Sequence, residues 1–348
     1  MSKIQLFIHG GFQKCATTYL QEKIFYKLKN FYCLSKPFSI YGANLDPKYD
    51  IVENNKEIND EKKLLISLQE KAFPRKYSLE INKPLNTSFY IDQYKNILLR
   101  IIEKNKDKKF ILSDETIFDK INYFGTQNIF HILDVTRFLQ ENLEIDIKFI
   151  LTIRRQDQIL PSIYSFDYLR QKEKYKSFEY FAKVFVDKKQ EYHEIFDYYK
   201  FVGRLKKIFQ NEILILPLEK LEEDPKSYHE DLFNFCETPF DDNLIYQEKV
   251  KKNSDDKKNF YLKRVRFYFL YSILSKIHKQ LVDNRFYMKL YGRLRPFLKR
   301  IKSFMKANPT RKLKIDQDIL LNIRESFKDS NLKLAKDFKI DLKKYNYY

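Results

Sequence analysis

Tryptophan is absent from this 348-residue chain, glycine occurs only 6 times and cysteine only 3 times. Three cysteines, Cys15, Cys33 and Cys236, cannot build a disulfide framework, and they fit a reducing cytosol. No apolar run is long enough to cross a bilayer as a helix. An apolar strand begins within three residues of Met1, so no signal peptide is expected and the chain is placed in the cytoplasm. Acidic residues are in deficit. Against 66 Lys and Arg there are 47 Asp and Glu, leaving a formal charge of +19. That charge implies an anionic partner: a phosphorylated cofactor, an acidic glycan, a membrane surface or a nucleic acid. A hydrophobic fraction of 43% excludes a disordered chain. The aromatic mass comes from 26 Tyr and 31 Phe. The length suits one large domain, or one domain with an appended lobe.

Because glycine is scarce, the adjacent pair Gly10-Gly11 is informative. It follows the apolar run Ile4 to Ile8, which is predicted to be a buried strand. The pair is expected to form a tight turn and to leave the backbone open to a ligand. Lys14 lies in that turn, and Thr17 and Thr18 open a helix continuing through Leu20, Ile24 and Leu28. Strand, glycine turn, lysine, hydroxyls and helix start together make an anion site from orphan amides, the helix dipole and one cation. A nucleotide kinase loop would place glycine immediately before the lysine, which this chain does not.

Further along, Phe31 to Asn96 carries no chemical motif, although Lys56 to Ala72 has helical periodicity. A helix over Ile91 to Asn105 leads to a strand, Lys109 to Ser113, which ends in Asp114-Glu115-Thr116. A third strand, Asp146 to Ile153, ends in Arg154-Arg155 and enters a helix from Asp157 to Lys172. A fourth, Glu212 to Leu218, precedes Glu219-Lys-Leu-Glu-Glu-Asp-Pro225 and a helix over Tyr228 to Cys236. Strands alternating with helices predict an α/β fold, a parallel sheet covered on both faces, with ligands at the C-terminal strand edge. From about Asp255 basic residues interleave with aromatics as amphipathic helices, and a final helix is expected over Asp316 to Phe327. The predicted division is a core over 1–254, with 31–96 on its acceptor side, and a basic helical lobe and tail over 255–348 packed on that core. No internal repeat is present.

Arg154 lies eight residues before Ser162, in RRQDQILPS. A guanidinium at the strand end and a hydroxyl in the following helix can grip one anion together. The two segments together resemble the cofactor motifs of the PAPS-dependent sulfotransferases, which use 3′-phosphoadenosine 5′-phosphosulfate. Lys14-Cys15-Ala16-Thr17-Thr18 is similar to that family's Lys-x-Gly-Thr-Thr loop, with Ala16 where glycine is usual. Arg154 and Ser162 match its 3′-phosphate arginine and serine, and Arg155 falls outside the match. ILPLEKLEEDP, Ile215 to Pro225, resembles the family's late strand and turn. The ending FKDSNLKLAKDFKIDLKKYNYY resembles bacterial members that modify glycans or small metabolites. Lys251, Lys252 and Asn253 stand where eukaryotic members carry Arg-Lys-Gly on the adenine side.

The resemblance implies a P-loop-type sheet and sulfuryl transfer from PAPS to an acceptor hydroxyl, that of a glycan or glycolipid, leaving 3′,5′-ADP. Gly11, Lys14, Cys15, Ala16, Thr17 and Thr18 would surround the 5′-phosphosulfate, and Arg154 and Ser162 the 3′-phosphate. Lys14 would neutralise charge on the bridging oxygen, with no metal required. Glu115 is the general base implied, with His131 in reserve. Two alternatives stay open. One is a P-loop kinase with magnesium on Asp114. The other is a non-catalytic basic protein that binds membrane or nucleic acid through 255–312; as an enzyme, the chain is expected to bind no nucleic acid, and peripheral contact with an anionic membrane fits the same basic segment.

Overall fold

Five apolar segments of this chain line up side by side as a parallel sheet in the computed structural model. The structure describes residues 3–11, 15–28, 30–34, 52–53, 56–57, 60–72, 87–113, 128–166, 175–188, 193–209, 212–241, 260–262 and 311–348. The sheet strands are β1 (Ile4–Gly11), β2 (Phe31–Cys33), β3 (Lys109–Ser113), β4 (Ile145–Ile153) and β5 (Ile213–Pro217). Their order is β2-β3-β1-β4-β5 and every pairing is parallel. Parallel neighbours need long crossovers, and helices supply them. The α/β sheet flanked by helices predicted from the sequence is the one observed.

The chain first builds outward from β1 toward β2, and from β3 it crosses to β4 on the other side. The strand order therefore reverses at β1 and β4. That reversal opens a crevice at the carboxyl ends of these two strands. Alternation along each strand sends Phe7, Ile111, Ile150 and Leu216 to one face. There they pack with Leu20, Ile24 and Phe25 of the first helical segment and with Tyr228, Leu232 and Phe233. Leu6, Ile8, Phe110, Leu112, Phe149 and Leu151 alternate with these and are equally buried. Each such aliphatic or aromatic side chain contributes about 1.5–3 kcal/mol by leaving water.

The helices follow their local signals, with some shifts. The first segment starts as α1 (Thr17–Tyr19), widens to a π turn over Leu20–Ile24 and tightens to 3-10 over Phe25–Lys27. Next come α2 (Asp60–Ala72), α3 (Thr87–Lys104) and α4 (Asn128–Asn142). Lys56–Glu57, expected at the start of α2, instead pairs with Val52–Glu53 as a small antiparallel bridge. After β4 come α5 (Gln156–Phe166), α6 (Phe178–Val186) and α7 (Tyr198–Phe209). The expected stretch of α5 beyond Phe166 falls on residues outside the described set.

The segment read as a turn after β5 is itself helical, α8 (Leu218–Glu223). Asp224 then caps α9 (Pro225–Phe235), accepting from the Ser227 N–H at 3.1 Å, with Pro225 at the first helical position. Glu237, at φ 49, closes α9 in the left-handed region while Thr238 N–H bonds the Phe233 carbonyl. The last helix, α10 (Gln317–Phe338), outruns the expected end at Phe327. Asp316 caps it through the Asp318 N–H at 3.1 Å, and Ile323, Phe327, Asn331 and Leu334 form one buried stripe.

The chain divides into two compact units: Met1–Ile159 with Val184–Lys252 and Leu321–Tyr348, and Leu160–Lys183 with Asn253–Leu320. The first unit holds the sheet. In the second, Tyr164 meets Phe178 edge to face at 5.4 Å and packs against Phe181. There Phe260–Leu262 also pairs antiparallel with Arg311–Leu313. Among the described residues no helix is long and apolar enough to cross a membrane.

Candidate functional site

The carboxyl ends of β1 and β4 are adjacent, in the register Gly11↔Thr152. Gly10 and Gly11, expected to form the turn, are instead the last two residues of β1, opposite Leu151 and Thr152. The bareness of Gly11 serves sheet packing before it serves a loop. A Cβ on Gly11 would lie 1.8 Å from Thr152 Oγ1 and 3.0 Å from Thr17 Cγ2. The threonine occupies the space that any side chain at position 11 would need. Thr152 Oγ1 is buried and finds no hydrogen-bond partner among the described residues.

The turn between β1 and its helix contains Ala16 at φ 61, ψ 17, the left-handed region. An alanine held there is strained by about 1–2 kcal/mol, because its Cβ crowds the backbone. This explains in physical terms why glycine suits that position. The Ala16 carbonyl accepts from Leu20 N–H at 3.1 Å and so starts the helix. A left-handed residue followed by right-handed Thr17 turns successive amides toward one point, the geometry that binds anions. Cys15 and Thr17 are both buried here. Thr18 lies in α1, and Lys14 lies outside the described residues.

On the other side of β1, His9 and Ser113 are register partners, and His9 Nδ1 lies 2.6 Å from Ser113 Oγ. Gln21 donates to the Ser113 carbonyl at 3.1 Å, tying the first helical segment to the end of β3. His9 is wholly buried, with its Nε2 unpartnered among the described residues, and burial pulls its pKa down to about 3. It is a neutral packed imidazole at ordinary pH. Glu115, with Asp114, lies beyond the described end of β3. His131 lies near the start of α4. Lys251, Lys252 and Asn253 are outside the described residues, as is most of 255–312.

Arg154 follows β4 directly and is half-buried. Its carbonyl accepts from Tyr198 Oη at 2.6 Å. Arg155, which falls outside the family match, is committed to structure. Its Nε and Nη2 bond the two oxygens of Asp157 at 3.0 and 2.6 Å. Arg324, from α10, reaches the same carboxylate at 2.8 Å. The Arg155 N–H donates to Glu219 Oε1 at 3.0 Å, and Tyr347 Oη donates to Glu219 Oε2 at 2.8 Å. Burial raises the Glu219 pKa, opposed by the Arg155 N–H and the Tyr347 hydroxyl. Ser162 sits in α5, half-buried, its carbonyl accepting from Ser165 Oγ at 3.1 Å.

The fold therefore assembles Gly11, Ala16, Thr17, Thr152 and Arg154 around one strand edge. Tyr198, Glu219, Arg324 and Tyr347 support that edge and escaped sequence reading. They come from α7, α8, α10 and the last residues, and no short-range pattern links them. Among the described residues no group of three or more His, Cys, Asp or Glu could hold a metal ion.

No protein-family model matches this chain, and no curated protein matches it. Among solved structures it is similar to the sulfotransferase domain from the Synechococcus PCC 7002 olefin synthase, at 15% identity and a TM-score of 0.35, over 73% of this chain and 81% of that one.

Proposed function

We propose that this protein transfers a sulfuryl group from PAPS to an acceptor hydroxyl, that of a carbohydrate or glycoconjugate. The observation that carries the reading is the Gly11↔Thr152 register. It sets the end of β1, which the lysine motif follows in sequence, beside the end of β4, which Arg154 follows. Two strands whose ends lead into motifs far apart in sequence are thus neighbours, which supports a ligand carrying two phosphorylated positions.

The residues present fit such a ligand. Gly11 lets Thr152 close against the end of β1, and Ala16 holds the left-handed backbone that suits an anion-binding turn. Thr152 keeps an unspent hydroxyl beside them. PAPS supplies the activated sulfuryl group. Lys14 would offset charge growing on the oxygen between phosphorus and sulfur. Cys15, Thr17 and Thr18 would contribute backbone and hydroxyl donors around the 5′ end. Arg154 would grip the 3′-phosphate, and the Arg-x₇-Ser spacing assigns Ser162 the accompanying hydroxyl. Glu115 would take the proton of the acceptor hydroxyl, with His131 as the reserve base. Sulfuryl transfer by this route requires no metal, because a sulfonate carries less charge than a terminal phosphate. The enzyme would work in the cytoplasm, and its basic aromatic segment suits a glycan borne on an anionic membrane.

Calorimetric titration of 3′,5′-ADP into wild type, Lys14→Ala and Arg154→Ala, without metal, tests the proposal. ATP with magnesium is titrated in parallel. Metal-free binding of 3′,5′-ADP that weakens in both variants is the expected result. Binding of ATP-magnesium with none of 3′,5′-ADP would overturn it in favour of a kinase.

A further inference from the structure

The peptide joining Arg154 to Arg155 is held from both ends by tyrosines distant in sequence. Tyr198 donates to its carbonyl at 2.6 Å. Its N–H reaches Glu219 Oε1 at 3.0 Å, and Glu219 Oε2 accepts from Tyr347 at 2.8 Å. Both tyrosines are fully buried and Glu219 is nearly so. Tyr347 is itself tethered: its carbonyl accepts from Asn331 Nδ2 at 3.0 Å, and Asn331 exchanges hydrogen bonds with Gln156, the first residue of α5. The loop bearing Arg154 is thus fixed by hydrogen bonds rather than by packing alone. Arg155, on the far side of this peptide, bonds both oxygens of Asp157 and so adds a side-chain anchor to the same loop.

We infer that Tyr347, acting through Glu219, and Tyr198 are positioning residues that aim the Arg154 side chain at the 3′-phosphate. This rests on the sulfuryl-transfer reading above. A long arginine aimed by its own backbone loses less freedom on binding than one on a mobile loop. The chemistry selected is that of a nucleotide phosphorylated on its 3′-oxygen, as distinct from one that lacks this group.

The test titrates two nucleotides, 3′,5′-ADP and 5′-AMP, into wild type, Arg154→Ala, Tyr347→Phe and Tyr198→Phe. Tyr347→Phe and Tyr198→Phe are each expected to weaken 3′,5′-ADP binding about fivefold, the effect of one lost hydrogen bond. Binding of 5′-AMP should stay unchanged in both. Combining Tyr347→Phe with Arg154→Ala should weaken binding no further than Arg154→Ala alone. Equal losses for the two nucleotides would reduce the tyrosines to general support and overturn the inference. So would unchanged 3′,5′-ADP binding in both tyrosine variants while Arg154→Ala weakens it. Should Tyr347→Phe fail to fold, Tyr198→Phe decides the same question. If Arg154→Ala leaves 3′,5′-ADP binding intact, the sulfuryl-transfer reading fails, and this inference with it.

Discussion

Thr152 Oγ1 points into the space where Gly11 has no side chain, 1.8 Å from the position a Cβ would take. This contact locks β1 to β4 at the edge where the anion site is proposed. Gly11→Ala should therefore destabilise the protein by about 2 kcal/mol through overpacking. Thr152→Ala in the same chain should recover part of the loss, because it removes the oxygen that clashes. Urea denaturation of the two single variants and the double variant measures both effects.

Ala16 offers the opposite case. Its left-handed backbone costs an alanine more than it costs glycine. Ala16→Gly should stabilise the fold by about 0.5–1 kcal/mol, the relief of strain being partly offset by a freer unfolded chain. Ala16→Val should do the reverse. Thermal melts of the two variants should move in opposite directions from wild type.

Asp157 is buried between two arginines, with 2% of its side chain exposed. Removing one partner leaves the carboxylate short of its charge balance. Arg155→Ala should cost about 3 kcal/mol, the usual scale for breaking a buried pair. Asp157→Asn alone should cost comparably. The double variant should cost less than the sum of the two, and chemical denaturation around the cycle reads that coupling.

His9 ties stability to pH. Buried and neutral, it is held down to about 3, against 6.5 in an exposed histidine. The contribution is full above the unfolded value, 6.5, and is lost as pH falls through the folded value. Over that window the loss should be on the order of 5 kcal/mol. His9→Asn, which cannot take up a proton, should flatten the fall in stability between pH 6.5 and 3. The measurement is the difference in urea midpoint between variant and wild type across that range.

Much of this molecule is written locally. The apolar runs of β1, β3, β4 and β5 were legible because a strand buried on both faces must be apolar almost throughout. Asp224 with Pro225 starts its helix by side-chain chemistry within one turn, ahead of the Tyr228 start expected from the apolar pattern. The lysine loop and the Arg-x₇-Ser spacing were likewise short-range patterns. Local signals failed where context overrides them. Gly10-Gly11 has the composition of a turn, yet the ladder to Leu151 and Thr152 holds both glycines in the strand. Leu218 to Glu223 lies where a turn was expected, but it closes into a helix with Leu221 in the core.

The amino-acid order by itself determined an α/β chain with two candidate anion motifs, since both are set by residues within a few positions of each other. Only the tertiary structure decided that β4 lies beside β1. It also decided that Gly11 makes room for Thr152, that Arg155 is spent on Asp157, and that Tyr347 reaches Glu219 across 128 residues. Those outcomes depend on which buried polar groups must find partners once the strands have packed, and no stretch of sequence contains both members of such a pair.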